Sequence, residues 1–201
     1  MSEKREDRRV RMTRLLIRDS LLELMQDKSV SNISVKMICE TAQINRSTFY
    51  AHYRDQFALL ESIQEEIVLD LKRQIETTQF FASPVGAVSV LVQVLEYAKT
   101  RAPILRVLLG EHGNKHFQNE IMQLAQEKIM AEFNGELQLP DLTMEYLKCF
   151  AVSGLISIMQ QWMATDFQDD VHLVAGLMMT LIKNGTDGLL SEFLKLKNSF
   201  E

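Results

Sequence analysis

The segment "SVKMICETAQINRSTFYAHYRDQF", residues 34–57, decides the fold. It holds two short apolar-periodic stretches with almost nothing between them. Ser34 is suited to cap a helix over "VKMICETA", residues 35–42, with Met37, Ile38 and Cys39 facing inward. Asn45 caps a second over "RSTFYAHY", residues 46–53, and Asp55 a third over "QFALLESIQEEIVLDLKRQIE", residues 56–76. Two short helices joined by so tight a turn cannot bury themselves. A preceding helix, from about Arg8 to Gln26 with Leu15, Leu16, Leu22 and Met25 at helical spacing, must supply the floor of their core. "DKSVSN", residues 27–32, breaks that first helix. The pattern is a helix-turn-helix over about residues 34–53.

On the wheel of the second short helix, Ile44, Phe49 and Tyr53 share a face and anchor it, while Phe57 fastens the next helix. Arg46, Ser47, Tyr50 and Ala51 project elsewhere, with Thr48 and His52 at the margins. An arginine at such a helix start can read guanine bidentately. Ser, Thr and Tyr hydroxyls can bond phosphates or base edges, and an alanine can touch a thymine methyl.

Charge supports that reading. Residues 1–54 carry 11 basic and 7 acidic side chains, a net +4, while the remainder carries 22−11 = 11 basic and 27−7 = 20 acidic, a net −9. A basic first quarter on an acidic body points to an anionic partner at one end.

Beyond residue 66 the chain reads as more helices. With only three Pro and eight Gly and no sustained alternation, the fold class is all-α. "FFASPVG", residues 80–86, interrupts the pattern, and "AVSVLVQVLEYAKTRA", residues 87–102, is a helix that Pro103 ends or kinks. A short apolar helix, a loop and the amphipathic "QNEIMQLAQEKIMAEF", residues 118–133, follow. After the connector "NGELQLPDLT", residues 134–143, two apolar helices close the chain, over residues 144–166 and 171–193. The apolar runs Phe150–Met159 and Leu173–Ile182 are too short and interrupted to span a bilayer.

Other chemistry finds little support. No Ser-His-Asp order, nucleotide-binding Gly-rich loop or paired-carboxylate motif is present, so no enzyme is expected. His112 and His116 have a metal-pair spacing, but Gly113-Asn114 between them reads as loop; no metal and no cofactor are expected. Cys39 and Cys149 lack metal spacing and read as buried thiols of a reducing compartment. The charged first twenty residues are no signal peptide, so the expected location is the cytoplasm, with no membrane partner.

Residues 8–66 closely resemble the DNA-binding domain of TetR-family bacterial transcription regulators. The matching positions are Ser34, Val35, Ile38, Ala42, Ile44, Thr48, Phe49, Tyr50, Tyr53 and Leu59. The resemblance implies base contacts from Lys36, Arg46, Ser47, Tyr50 and Ala51. It implies phosphate contacts from the Val35 backbone, Thr48, Tyr50 and His52. Ser34, Asn45 and Gln56 complete the candidate DNA-binding set. Two positions depart from the family: its turn glycine is Gln43 here, which puts a non-Gly residue at positive φ, and its lysine at the fourth-helix start is Gln56, with Arg54 as substitute.

The resemblance also implies two domains, residues 1–66 for DNA and residues 67–201 for regulation and dimerisation. "LRVLLGEHGNKHF", residues 105–117, is similar to the C-terminal domains of Gram-positive members. The family's effector cavity would be lined here by Tyr97, Leu105, Leu108, Phe117, Met122, Phe150 and Trp162. The two closing helices are apolar around most of their circumference. A two-fold four-helix interface through Leu155, Met159, Val174, Met178 and Ile182 would cover the excess, with Gly154 and Gly176 permitting close approach. The expected protein is a homodimeric repressor of a pseudo-palindromic double-stranded DNA operator, released by a small-molecule effector. The alternative is a family member acting with a protein partner, as coactivator or nucleoid-associated factor, without an effector.

Overall fold

The computed structural model describes the backbone of residues 2–76, 84–133 and 141–200, and side chains within 8–73, 88–127 and 142–185. Most of the connectors expected at 80–86 and 134–143 lie outside the described residues. All regular structure among the described residues is helical. The elements are α1 (Ser2–Leu24), a 3-10 turn (Val30–Asn32), α2 (Val35–Thr41), α3 (Arg46–Tyr50), α4 (Gln56–Glu76), α5 (Pro84–Thr100), α6 (Ala102–Leu108), α7 (Lys115–Phe133), α8 (Asp141–Ala164) and α9 (Val171–Phe200).

Two compact units emerge. The first comprises residues 1–70 with 103–118; the second comprises 71–102 with 119–201. In the first, α1 packs on α2 and α2 on α3. Ile17, Leu21 and Leu22 of α1, with Met25 just beyond its end, are buried with Ile33, Ile38, Cys39, Phe49, Leu59, Leu60 and Ile63. Arg18 of α1 donates from Nη1 to both carboxylate oxygens of Glu66 on α4, at 3.2 and 3.3 Å. Leu15 and Leu16, expected inward, are exposed; the buried stripe is one position on, at Ile17 and Leu21. Phe57, expected to fasten α4, is half exposed, and Leu59 and Leu60 fill that role.

Segment 103–118 shows why certain residues sit where they do. Pro103 falls in the first turn of α6, where a missing N–H costs nothing. A Cβ on Gly113 would lie 2.0 Å from the Leu108 carbonyl oxygen, so only glycine fits that turn. Gln118 donates from Nε2 to the carbonyls of Leu108 and Gly110, closing the C-terminus of α6.

The second unit is built around α5, α8 and α9. Leu91, Leu95, Trp162, Val171, Val174, Ala175 and Met178 form its core. The α8–α9 turn is a Schellman-type stop: Phe167 N–H donates to Trp162 O at 3.0 Å and Asp166 N–H to Met163 O at 3.2 Å. Asp166 and Phe167 take φ of 51° and 58° to do so. In return the Phe167 ring meets Trp162 edge-on at 4.9 Å, and Lys99 lies over its other side at 5.8 Å. Trp162 Nε1 donates to Asp169 O at 2.9 Å, and Asp170 caps α9 by accepting from His172 N–H at 2.9 Å.

Two expectations are corrected here. Cys39 is buried, but Cys149 is exposed on α8. Leu142–Ala164 is long and apolar enough, at a mean hydropathy of 1.3, to cross a membrane by length and composition. The shorter run Phe150–Met159 underestimates it because the span Leu142–Ala164 extends beyond it at both ends with only Glu145 and Lys148 charged, and these pair at 2.7 Å.

Candidate nucleic-acid interface

The turn between α2 and α3 is fixed by backbone hydrogen bonds. Ile44 N–H donates to Cys39 O at 3.0 Å and Gln43 N–H to Glu40 O at 3.3 Å, the pairing of a Schellman stop. Gln43 occupies the left-handed position with φ 53°. Reversal there lets α3 start three residues later, and Ser34 caps α2 by accepting from Met37 N–H at 3.3 Å.

Asn45 organises the start of α3. Its Oδ1 accepts from Thr48 N–H at 2.8 Å, from the Ser47 hydroxyl at 2.7 Å and from the Thr48 hydroxyl at 2.7 Å. Because an amide oxygen only accepts, both hydroxyl protons are committed to it. Ser47 and Thr48 keep lone pairs for a donor, but neither can donate to a phosphate without first leaving Asn45. The expected phosphate contact of Thr48 therefore competes with the cap.

Phe49 is fully buried and anchors α3; Tyr53 is half-buried beside it at 6.0 Å between rings. Tyr50 is 57% exposed, its ring standing edge-on to Phe49 at 5.6 Å. The anchor thus holds the exposed phenol by ring contact. Arg46 is also exposed and makes no ion pair with a described residue.

An open cleft of about 410 Å³ runs along this surface, lined by Ser31, Asn32, Ile33, Ser34, Val35, Lys36, Arg46, Tyr50 and Gln56. Six of the sequence candidates meet there: Ser34, Val35, Lys36, Arg46, Tyr50 and Gln56. Asn45, Ser47 and Thr48 form the capping cluster at the start of α3. Ala51 and His52 follow its last turn, Ala51 exposed and His52 half-buried near Tyr53. Sequence reading missed Ser31 and Asn32, which it took only as a break. The signal available was the serine pair Ser29–Ser31, whose hydroxyls bond at 2.8 Å around the 3-10 turn.

The flanking charges are partly committed. Lys36 Nζ lies 3.7 Å from Glu40 one helical turn on. Arg54 donates from Nε to Asp55 Oδ2 at 3.0 Å, so the substitute for the absent lysine at Gln56 is already paired. Asp55 caps α4 through Ala58 N–H at 2.8 Å. That donated bond above all holds its carboxyl below the usual range, against burial, which raises it, and with smaller lowering contributions from Arg54. Burial pushes the Cys39 thiol up, against the pull of Arg46.

The seven expected cavity residues divide between the units. Leu105, Leu108 and Phe117 are buried in the first, while Trp162 lies in the core of the second. Tyr97 and Met122 are half-buried, and Phe150 is 72% exposed. Val174 and Met178, expected at a subunit interface, are instead buried within their own unit by α5 and α8. Leu155 and Met159 pack partly against that core. Between α8 and α9 lies an apolar groove of about 390 Å³, floored by Gly154 and Met178 and edged by Phe150, Leu155, Leu181 and Ile182.

Residues 88–184 match a family model described as the C-terminal region of transcriptional regulators. The uncharacterized helix-turn-helix-type transcriptional regulator YxbF of Bacillus subtilis is 31% identical over 51 residues, 25% of this chain and 13% of that protein. Among solved structures, a TetR transcriptional regulator of Streptococcus agalactiae shares the fold with a TM-score of 0.64. It is 21% identical over 90% of this chain and 98% of its own. The regulator FadR of Bacillus subtilis, solved in complex with stearoyl-CoA, has a TM-score of 0.60 and 14% identity. That match covers 84% of this chain and 96% of FadR.

A helix-turn-helix joined to further helices is the architecture that these solved regulators share. Residues 88–184 are thus similar to the C-terminal region of transcriptional regulators, and the fold is that of the solved TetR-type structures.

Proposed function

We propose that the chain is a homodimeric repressor that reads a pseudo-palindromic operator through α3 and the cleft beside it. The observation that carries the reading is the convergence of Lys36, Arg46 and Tyr50 with Ser31, Ser34 and Gln56 on one open polar surface. Exposed Arg and Tyr on a rigidly anchored short helix suit a major groove, and the small polar side chains around them suit phosphates. A selection of bound duplexes from a random pool tests it. Arg46→Ala and Tyr50→Ala should each abolish preference for the selected sequence while the thermal unfolding midpoint stays within a few degrees. Undiminished preference in both would refute the assignment.

Dimerisation through α8 and α9 is supported by their uncovered apolar side chains. Leu142, Tyr146, Phe150, Leu173, Leu177 and Leu181 are each at least half exposed. So large an apolar surface calls for a partner. Gly154 at the groove floor has no atom within 4 Å of where a Cβ would lie, which leaves room for another helix. A second copy covers this face and also explains the membrane-grade hydropathy of α8. Two recognition helices about 34–36 Å apart then meet successive major grooves.

Response to a small molecule is the finer part of the proposal. FadR, with its bound stearoyl-CoA, supports an apolar effector held among the body helices. Such a ligand acts by favouring a dimer whose recognition helices no longer match the groove spacing. Dissociation of the selected duplex on adding long-chain acyl-CoA is the expected result. An unchanged Kd across acyl chain lengths would remove that class of effector.

A further inference from the structure

A second cationic feature lies outside the cleft, on α1. From Arg8 to Leu16 none of the residues is buried, although Ile17, Leu21 and Met25 further along are at most 1% exposed. Traced backwards at helical spacing, the buried stripe Leu21–Ile17 continues through Arg14 to Val10. Arg14 and Val10 are both exposed. The stripe surfaces because the core ends there, and these nine residues, about 14 Å of helix, overhang it.

The overhang carries Arg8, Arg9, Arg11 and Arg14, all exposed. No Asp or Glu occurs between Arg8 and Arg18. None of the four arginines makes an ion pair with a described residue, whereas Arg18 and Arg54 are paired with Glu66 and Asp55. Four guanidinium groups within two turns, preceded in sequence by Glu6 and Asp7, repel one another, in a chain whose formal net charge is −5. An anionic partner relieves that repulsion more fully than solvent and salt do.

The array suits a nucleic-acid backbone better than a lipid surface. At about 100° per residue the four arginines spread around most of the helix, interleaved with Met12, Leu15 and Leu16. An interfacial membrane helix instead segregates its charged and apolar faces. Arg8 and Arg14 lie about 9 Å apart along the axis. Duplex DNA presents about five phosphates over that length. Because α1 packs on α2, and α2 on α3, the array is carried by the same body as the reading helix.

We propose that Arg8, Arg9, Arg11 and Arg14 form a second, sequence-independent phosphate-binding site, which extends the footprint on DNA beyond the cleft. This rests on the DNA-binding reading above. The test measures anisotropy of the full chain on the selected duplex and on a scrambled duplex of equal length, across a KCl series. Replacing all four arginines by Gln should weaken both complexes tenfold or more. It should also reduce the slope of log K against log[KCl] by about 0.9 per lost contact. The preference for the selected over the scrambled duplex should survive. The four-lysine variant should restore the slope, which separates lost charge from lost folding. An unchanged slope in the Gln variant overturns the site while leaving the cleft assignment standing. Failure of any duplex to be enriched by the wild-type chain overturns both. Arginine-dependent binding to phosphatidylglycerol vesicles with no change in DNA slope assigns the array to lipid and overturns the proposal.

Discussion

At the scale of single residues, the helix-turn-helix is held by its turn and its caps. Gln43 takes a left-handed conformation that costs a non-glycine residue about 1 kcal/mol. Gln43→Gly should raise stability by up to about 1 kcal/mol, offset in part by the freer unfolded chain, and Gln43→Val should lower it. Urea midpoints at constant m-value check both. Asn45→Ala removes an acceptor shared by three donors and should cost about 1–2 kcal/mol. It also frees the Ser47 and Thr48 hydroxyl protons, so any surviving complex should show altered base preference at the Ser47 position. Asp55 titrates with a folded pKa below its unfolded value near 3.9. The unfolded chain therefore binds more protons in that acid range. Stability from this cap is fully present above about pH 4 and is lost as pH falls through the folded pKa. Asp55→Asn, which keeps an acceptor oxygen, should flatten the decline in urea midpoint between about pH 5 and pH 3.

At the scale of elements, legibility followed the strength of local signals. The bounds of α4 are those expected, because Asp55 and a long apolar stripe mark both the start and the face. The helix-turn-helix was legible for the same reason: Ser34 and Asn45 both cap as their residue types predict. α1 was misread by one position, since Leu15-Leu16-Ile17 is apolar at three consecutive residues and periodicity alone cannot choose among them. The 3-10 turn that brings Ser31 and Asn32 to the cleft has no periodicity to reveal it. The division of labour on α8 and α9 was hidden as well. Both helices are apolar on several faces, so only packing distinguishes buried Val174 and Met178 from exposed Leu173 and Leu177. Thiol chemistry offers a direct check on those faces. Under denaturing conditions both cysteines should react with a maleimide, but in the native protein Cys39 should be silent.

At the scale of the whole molecule, the operator reading stands or falls with the second copy. Phe150 is 72% exposed and edges the α8–α9 groove, so replacing it leaves the monomer core intact. Phe150→Glu should give a folded monomer by sedimentation, with operator affinity reduced at least a hundredfold and melting temperature nearly unchanged. A dimer that persists in this variant moves the interface elsewhere. The charge layout is consistent with the proposed operator binding: the first 54 residues are net positive and the remainder net negative.

The α8–α9 turn has an optical corollary. Trp162 is the sole tryptophan of the chain, enclosed by Phe167 and bonded through its indole nitrogen to Asp169. All intrinsic indole emission thus originates from the body, more than a hundred residues in sequence from α3. A spectral shift on adding the operator duplex alone would be a direct readout of communication between the two units, with no label attached.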